Sequence, residues 1–263
     1  MIVRLALMAA CLLLSACEWV KDSGVEGNGD DVVKTFDIGI SNQHHFKLSV
    51  PANVTYMVAD EPTMIVRLDE NLMEYLTVSR DSHYPGALNI SSTRPLRDFK
   101  VFDIILTTPC PSTFDCCGKV KLNVKGPLDY KQAAIFLNVK DAAEVNVDEL
   151  KAGALHLVAD GSAKVDIHSV DVMSRIELSV TGPVGIRLSR IAEPASVSLS
   201  GKTEQVELAL IGAGEVDLSN LDYKLLDRTV IGRGSVKTGD KPVYKNGQAQ
   251  IPQTDNLSVN GLK

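Results

Sequence analysis

From Thr35 onward, apolar and polar residues alternate in short runs. Phe46-Lys-Leu-Ser-Val50, Met64-Ile-Val-Arg-Leu68, Ala87-Leu-Asn-Ile90 and Phe102-Asp-Ile-Ile-Leu106 place apolar side chains at about every second position. That period turns one face inward and predicts strands. Pro51-Ala-Asn53, Asp60-Glu-Pro62 and Tyr84-Pro-Gly86 supply turn chemistry between them. The period of an amphipathic helix does not emerge; Asp69–Tyr75 reads as a short helix or a polar loop.

The second half repeats. With Asp141, Gly161, Gly182, Lys202, Gly212 and Gly232 as anchors, the successive spacings are 20, 21, 20, 10 and 20. Val145, Val165, Ile186, Val206, Val216 and Val236 stand at the fourth position after each anchor. Val147, Ile167, Leu188, Leu208 and Leu218 stand at the sixth, until Thr238 breaks the series. Leu150, Val170, Ile191, Ile211 and Leu221 stand at the ninth. A repeat of this length with inward aliphatic positions is a solenoid signature, because one rung cannot bury its own face and stacked rungs share a core. The half-length step from Lys202 to Gly212 implies either a shortened turn or a rung whose two faces both match the template. The predicted fold is all-β: a β-solenoid, a single-stranded β-helix-like stack of about 20-residue rungs, behind a strand-rich section over 36–130.

Ile211-Gly-Ala-Gly-Glu-Val-Asp-Leu218 and Val230-Ile-Gly-Arg-Gly-Ser-Val236 resemble the recurring units, GxG followed by Val or Ile, of the autotransporter adhesin head domain. That family is also called the GIN domain or DUF2807. Upstream, Asn71–Ser91 and Phe102–Pro109 are similar to its N-terminal strands, and the resemblance spans roughly residues 36–240. The pattern departs at Asp141, at Gly182-Pro183 and at Gly201-Lys202, and Cys110–Cys117 looks like an insertion. The resemblance implies a β-helix-like domain on a secreted or lipid-anchored bacterial protein. It implies no activity.

The N-terminus carries an address. Arg4 is the only charge in the first sixteen residues, Leu5–Leu14 is nearly all apolar, and Ser15 and Ala16 are small. This is the layout of a secretory signal, and it is too short for a spanning helix. Leu14-Ser15-Ala16-Cys17 resembles the bacterial lipobox, which implies cleavage between Ala16 and Cys17 and acylation of the Cys17 sulfur. Two or more acyl chains hold a protein on a membrane almost permanently. Glu18, rather than Asp, points by analogy to the outer membrane. Asp22–Asp31 is acidic and glycine-rich, so residues 17–34 read as a lipidated, flexible tether. The expected layout is a signal peptide at 1–16, the tether, a GIN-like domain at 35–244 and a polar tail at 245–263.

The 263 residues carry a net charge of −6, which becomes −7 once Arg4 leaves with the signal. Only 5% are aromatic. Neither a phosphate-binding surface nor a base-stacking platform is expected, and so no nucleic-acid partner. Cys11 leaves with the signal, and Cys110, Cys116 and Cys117 remain. Exported chains meet oxidising conditions, so a disulfide from Cys110 to Cys116 or Cys117 is the expected use of two of them. The segment lacks the four ligands zinc usually takes.

Glu144, Asp148, Asp160, Asp166, Glu215 and Asp217 recur near the corners. Calcium ligation and paired-carboxylate glycoside chemistry are the functional readings of such a set; solvated outward positions are the better one. His44, His45, His83, His156 and His168 are scattered and read as surface residues. Nucleophile-elbow, zincin, P-loop and dinucleotide fingerprints are missing from the sequence. No catalytic residue, metal or cofactor is therefore expected. The leading function is a membrane-anchored, adhesin-like envelope lipoprotein that binds an envelope protein or polysaccharide. A glycan-active enzyme on a β-helix scaffold, or a self-associating structural protein, is the alternative.

Overall fold

The computed structural model describes residues 24–39, 45–81, 86–109, 111–130, 133–181 and 195–239, and two short strands further on. The chain is all-β. Among the described residues the only helix is a 3-10 turn, Glu70–Tyr75.

The first section contains β1 (Val25–Glu26), β2 (Asp31–Phe36), β3 (His45–Ser49), β4 (Asn53–Val58) and β5 (Thr63–Asp69). After the 3-10 turn come β6 (Leu76–Arg80), β7 (Ala87–Ser92), β8 (Leu96–Arg97), β9 (Phe102–Thr108) and β10 (Thr113–Cys116). Next are β11 (Lys121–Asp129) and β12 (Ala134–Asp141), then four long strands. These are β13 (Glu144–Gly161), β14 (Lys164–Thr181), β15 (Ser196–Gly212) and β16 (Glu215–Gly232), followed by β17 (Ser235–Lys237). β18 (Val243–Lys245) and β19 (Gln248–Gln250) form a separate antiparallel hairpin.

Fifteen strands share one sheet, which divides into two arms. β4 leads to β11, which pairs with the first half of β13; β3 and β10 lead to β12, which pairs with its second half. The arms face each other across the core. Phe46 of β3 and Phe114 of β10 meet Tyr56 of β4, with ring centroids 6.0 and 5.3 Å apart. The Tyr56 hydroxyl donates to the Thr108 carbonyl at 3.0 Å, so its polar end is satisfied inside the core.

From β13 onward, successive strands pair in parallel. Leu122, Val145, Val165, Val197, Val216 and Val236 oppose one another in turn. Ile135, Leu155, Ile176, Val206 and Leu226 form a second inward row. Period-two alternation slips by one residue at each corner and then resumes, as at Asp148-Glu149 and Gly153-Ala154, and the pairing register shifts at the second of these.

Several expectations are corrected. Lys202 is not a corner: it pairs with Asp171 and Asp222 in mid-strand. Val197 takes the place expected for Val206, and Val206 stacks on Ile176. What the register shows is a curled sheet of parallel long strands, and the half-length step thus arises inside one long strand whose two halves both match the template. Its cause is a long step from β14 to β15, which sets Lys164 opposite Ser196 and Thr181 opposite Ile211. Ile186, Leu188 and Ile191 fall in residues 182–194, outside the described ones.

Part of the stretch that composition marks as a flexible tether is built into the sheets. Of the expected tether 17–34, residues from Val25 onward are bound: β1 pairs with β8 and β2 with β5. Asn71 Nδ2 donates to the Glu26 carbonyl at 2.8 Å, and Asn71 Oδ1 accepts from the Asn28 amide at 3.0 Å. Buried Asp69 accepts from the amides of Gly29 at 2.9 Å and Lys100 at 3.2 Å. Gly27 is required here, because a Cβ would stand 2.2 Å from Asp69 Oδ2. The polar, glycine-rich residues are amide donors for buried Asp69 and half-buried Asn71. We expect Asp69→Ala to cost about 1–3 kcal/mol, since it leaves the part-buried Gly29 and Lys100 amides without their acceptor; the urea midpoint checks this. At the other end, β19 falls inside the expected tail.

Candidate binding faces of the long strands

Because the long strands pair in parallel, outward side chains at equivalent positions form rows about 4.8 Å apart per strand. On the first half of the strands, one row is Lys121, Glu144, Lys164, Ser196 and Glu215. The adjacent row is Asn123, Asn146, Asp166, Ser198 and Asp217. From Glu144 and Asn146 onward these rows line a shallow concavity of about 430 Å³. Glu144 lies 3.6 Å from Lys121 and 3.8 Å from Lys164, and Glu215 pairs with Lys237. Asn146 Nδ2 donates to Asn123 Oδ1 at 3.2 Å. The hydroxyl and amide of Ser219 both donate to Asp217 and hold its carboxyl below the usual range.

The second half carries another face. One row is Phe136, His156, Glu177, Glu207 and Asp227; beside it run Asn138, Val158, Ser179, Ala209 and Thr229. From His156 and Val158 onward they line a concavity of about 380 Å³. Phe136, 41% exposed, stacks flat on His156 at 4.6 Å. His156 Nδ1 lies 2.5 Å from Glu177, which also pairs with Arg175 at 2.6 Å. Gln205 Nε2 donates to Glu207 at 2.9 Å. At the far end of the row, Asp115 bridges His45 and Asn138, each at 2.6 Å.

Of the acidic residues named from sequence, the structure gathers Glu144, Asp166, Glu215 and Asp217 on the first face. Asp148 sits at a corner with Lys125, and Asp160 pairs along the strand with Lys140 and Thr181. Among the described residues, no group of three or more His, Cys, Asp or Glu is arranged to hold a metal ion. His156 and His168 are on polar positions as expected, while His44 and His83 lie outside the described residues. Sequence reasoning missed the Phe136–His156–Glu177 row, although steps of 20 and then 21 join its members. The repeat's own period, applied to outward positions, would have found it.

The expected disulfide does not form at the described partners, for Cys116 and Cys117 are both free thiols. Cys116 points into the core between Leu48 and Val139, where burial pushes its thiol far up. The Cys117 thiol donates to Asp141 Oδ2 at 2.9 Å, which raises it as well. Neither is an activated nucleophile. Cys110, Ala16 and Cys17 lie outside the described residues. No helix among the described residues is long and apolar enough to cross a membrane.

The model of the family described as "Putative auto-transporter adhesin, head GIN domain" matches residues 44–241. The chain belongs to this family. Its expected limits, 36–240, differ mainly at the N-terminal side. Two crystal structures are similar to this GIN domain in fold. A "putative adhesin" from Bacteroides fragilis is 12% identical, with a TM-score of 0.53, over 81% of this chain and 98% of that one. A "putative adhesin" from Parabacteroides distasonis is 17% identical, with a TM-score of 0.51, over 81% of this chain and 99% of that one. No curated protein matches the chain.

Proposed function

We propose that this GIN domain is a non-catalytic, lipid-anchored envelope protein whose stacked rungs form a solenoid that binds an envelope polysaccharide or protein. The observation that carries the reading is the Phe136-to-Asp227 face. Its two rows cross five strands, about 19 Å, and nothing among the described residues encloses them. A small molecule needs a concave site that buries most of its surface. An open strip of carboxylates, amides and hydroxyls beside an exposed aromatic suits an extended chain laid across the strands. Membership of an adhesin family agrees with this. So does the lipobox Leu14–Cys17, which would place acylated Cys17 in the outer membrane after cleavage at Ala16.

The test uses the chain from Glu18 onward on a glycan array and in crosslinking to isolated envelopes. We expect a partner whose affinity falls about tenfold or more in the Glu177→Lys/Glu207→Lys variant and holds in Glu215→Ala on the other face. Equal binding by both variants, or no partner in either format, overturns the reading.

A further inference from the structure

The outward row that carries Phe136 does not stop at β12. Phe136 is opposite Thr113 of β10, and Thr113 is opposite His45 of β3. Beyond His45 the row meets buried Ala87 of β7. The Phe136 ring lies on His156 of β13, with 7° between the two planes. It therefore stands upright across the row and turns its other face towards β10. The residue there, Thr113, is too short to cover an aromatic ring. His45 stands two strands from Phe136, about 9.6 Å. Phe136 and His45 are thus the walls of a slot, and Thr113 is its floor.

Polar groups border the slot on the next row, where Asp115 of β10 opposes Asn138 of β12. Asp115 accepts from His45 Nε2 and from Asn138 Nδ2, each at 2.6 Å. Those bonds fix the carboxylate, and a carboxylate has about four acceptor positions, so it can take further donors. An aromatic face with a few oriented polar groups is the make-up of a ligand subsite. A pyranose ring fits it chemically: the C–H groups of one ring face pack on an aromatic ring, and the hydroxyls at its rim need acceptors. The width agrees. A flat group held between two rings takes two contacts of about 3.5–4.0 Å, which is narrower than this slot, whereas a puckered ring is thicker.

Charge narrows the class of ligand. Asp115, Glu177, Glu207 and Asp227 stand along this face. The cations beside them are already paired: Arg175 with Glu177 and Glu207, and Lys47 with Asp81. A chain of uronates or phosphates would be repelled, whereas hydroxyls find acceptors on every strand. We propose that the slot over Thr113 holds one ring of an uncharged polysaccharide, stacked on Phe136 and hydrogen-bonded to Asp115, and that the chain continues across the strands past Glu177 and Glu207. This rests on the reading of the face as a binding surface and names its ligand.

Calorimetric titration of the full chain with cellohexaose, maltohexaose, mannohexaose, hexagalacturonate and hexa-arginine tests this. We expect at least one neutral hexaose to bind and hexagalacturonate not to bind. Phe136→Ala weakens the neutral hexaose about tenfold or more, and Phe136→Trp keeps it. Thr113→Phe, which fills the slot and leaves Phe136 in place, weakens it as well; unchanged circular-dichroism melts of these variants control for folding. The proposal is overturned if all three neutral hexaoses fail to bind, or if hexagalacturonate binds equally well. Binding by hexa-arginine alone overturns it in favour of a basic protein segment. A hexaose lost in Glu177→Lys/Glu207→Lys but held in Phe136→Ala and Thr113→Phe removes the slot and leaves the face as the binding surface.

Discussion

Replacing Gly201 with alanine is expected to cost about 3–5 kcal/mol, at the upper end for a single substitution. Gly201 stands between Val170 and Leu221 on the neighbouring strands. Its φ is +127°, and a Cβ there would stand 2.1 Å from the Val170 carbonyl oxygen and 2.5 Å from the Val170 amide nitrogen. Both atoms are backbone in a paired ladder, so no side-chain rotation relieves the clash. Either the ladder opens or strands β14 and β15 separate locally. At about 2–4 °C per kcal/mol for a domain of this size, the melting temperature falls by roughly 10 °C. Gly126 is the control: its φ is +79°, but nothing lies within 4 Å of its missing Cβ. Gly126→Ala therefore carries only the left-handed backbone cost, about 1–2 kcal/mol. Equal melting shifts for the two variants would show that the spacing between β14 and β15 is soft.

What was legible in the sequence follows from what a period can encode. Alternation identified the inward residues well: Phe46, Leu48, Val66, Ile104, Val145, Val165 and Val216 are all buried. Period two is set by the pleat and is indifferent to which strand lies alongside. Strand boundaries depend on that neighbour, so the template alone misplaces them. Val206 and Leu208 satisfy it as well as Val197 and Leu199 do, because both halves of a long strand bury alternate aliphatic residues. Only the pairing of Lys202 with Asp171 tells the halves apart. Composition misled at Gly24–Lys34 for another reason. A polar, glycine-rich segment lacks apolar surface to bury, yet it has a full set of backbone donors, and its acceptors on Asp69 and Asn71 lie far along the chain. The outward rows were hidden because each residue looks like ordinary surface until the register aligns them across the strands.

Val165→Asp is expected to be the most damaging change on the inward rows. Val165 lies between Val145 and Val197, and 3% of it is exposed. The residues paired with it are aliphatic on both sides, so a carboxylate there meets no partner from them, and an unpaired buried charge costs several kcal/mol. In a stack whose units touch only their neighbours, stability is a sum of unit and interface contributions. A lesson about architecture comes from a second position. Val236 ends the same row and, among the described strands, is opposed on one side only, by Val216. If the long strands behave as a one-dimensional stack, Val236→Asp disturbs one interface where Val165→Asp disturbs two. It should then cost about half as much or less, while exposed Glu215→Ala shifts the circular-dichroism melt by no more than the equivalent of about 0.5 kcal/mol. Equal losses at Val165 and Val236 would instead mean that the whole curled sheet unfolds as one cooperative unit, with its stability carried by the facing arms at Phe46, Tyr56 and Phe114 and not by the rungs.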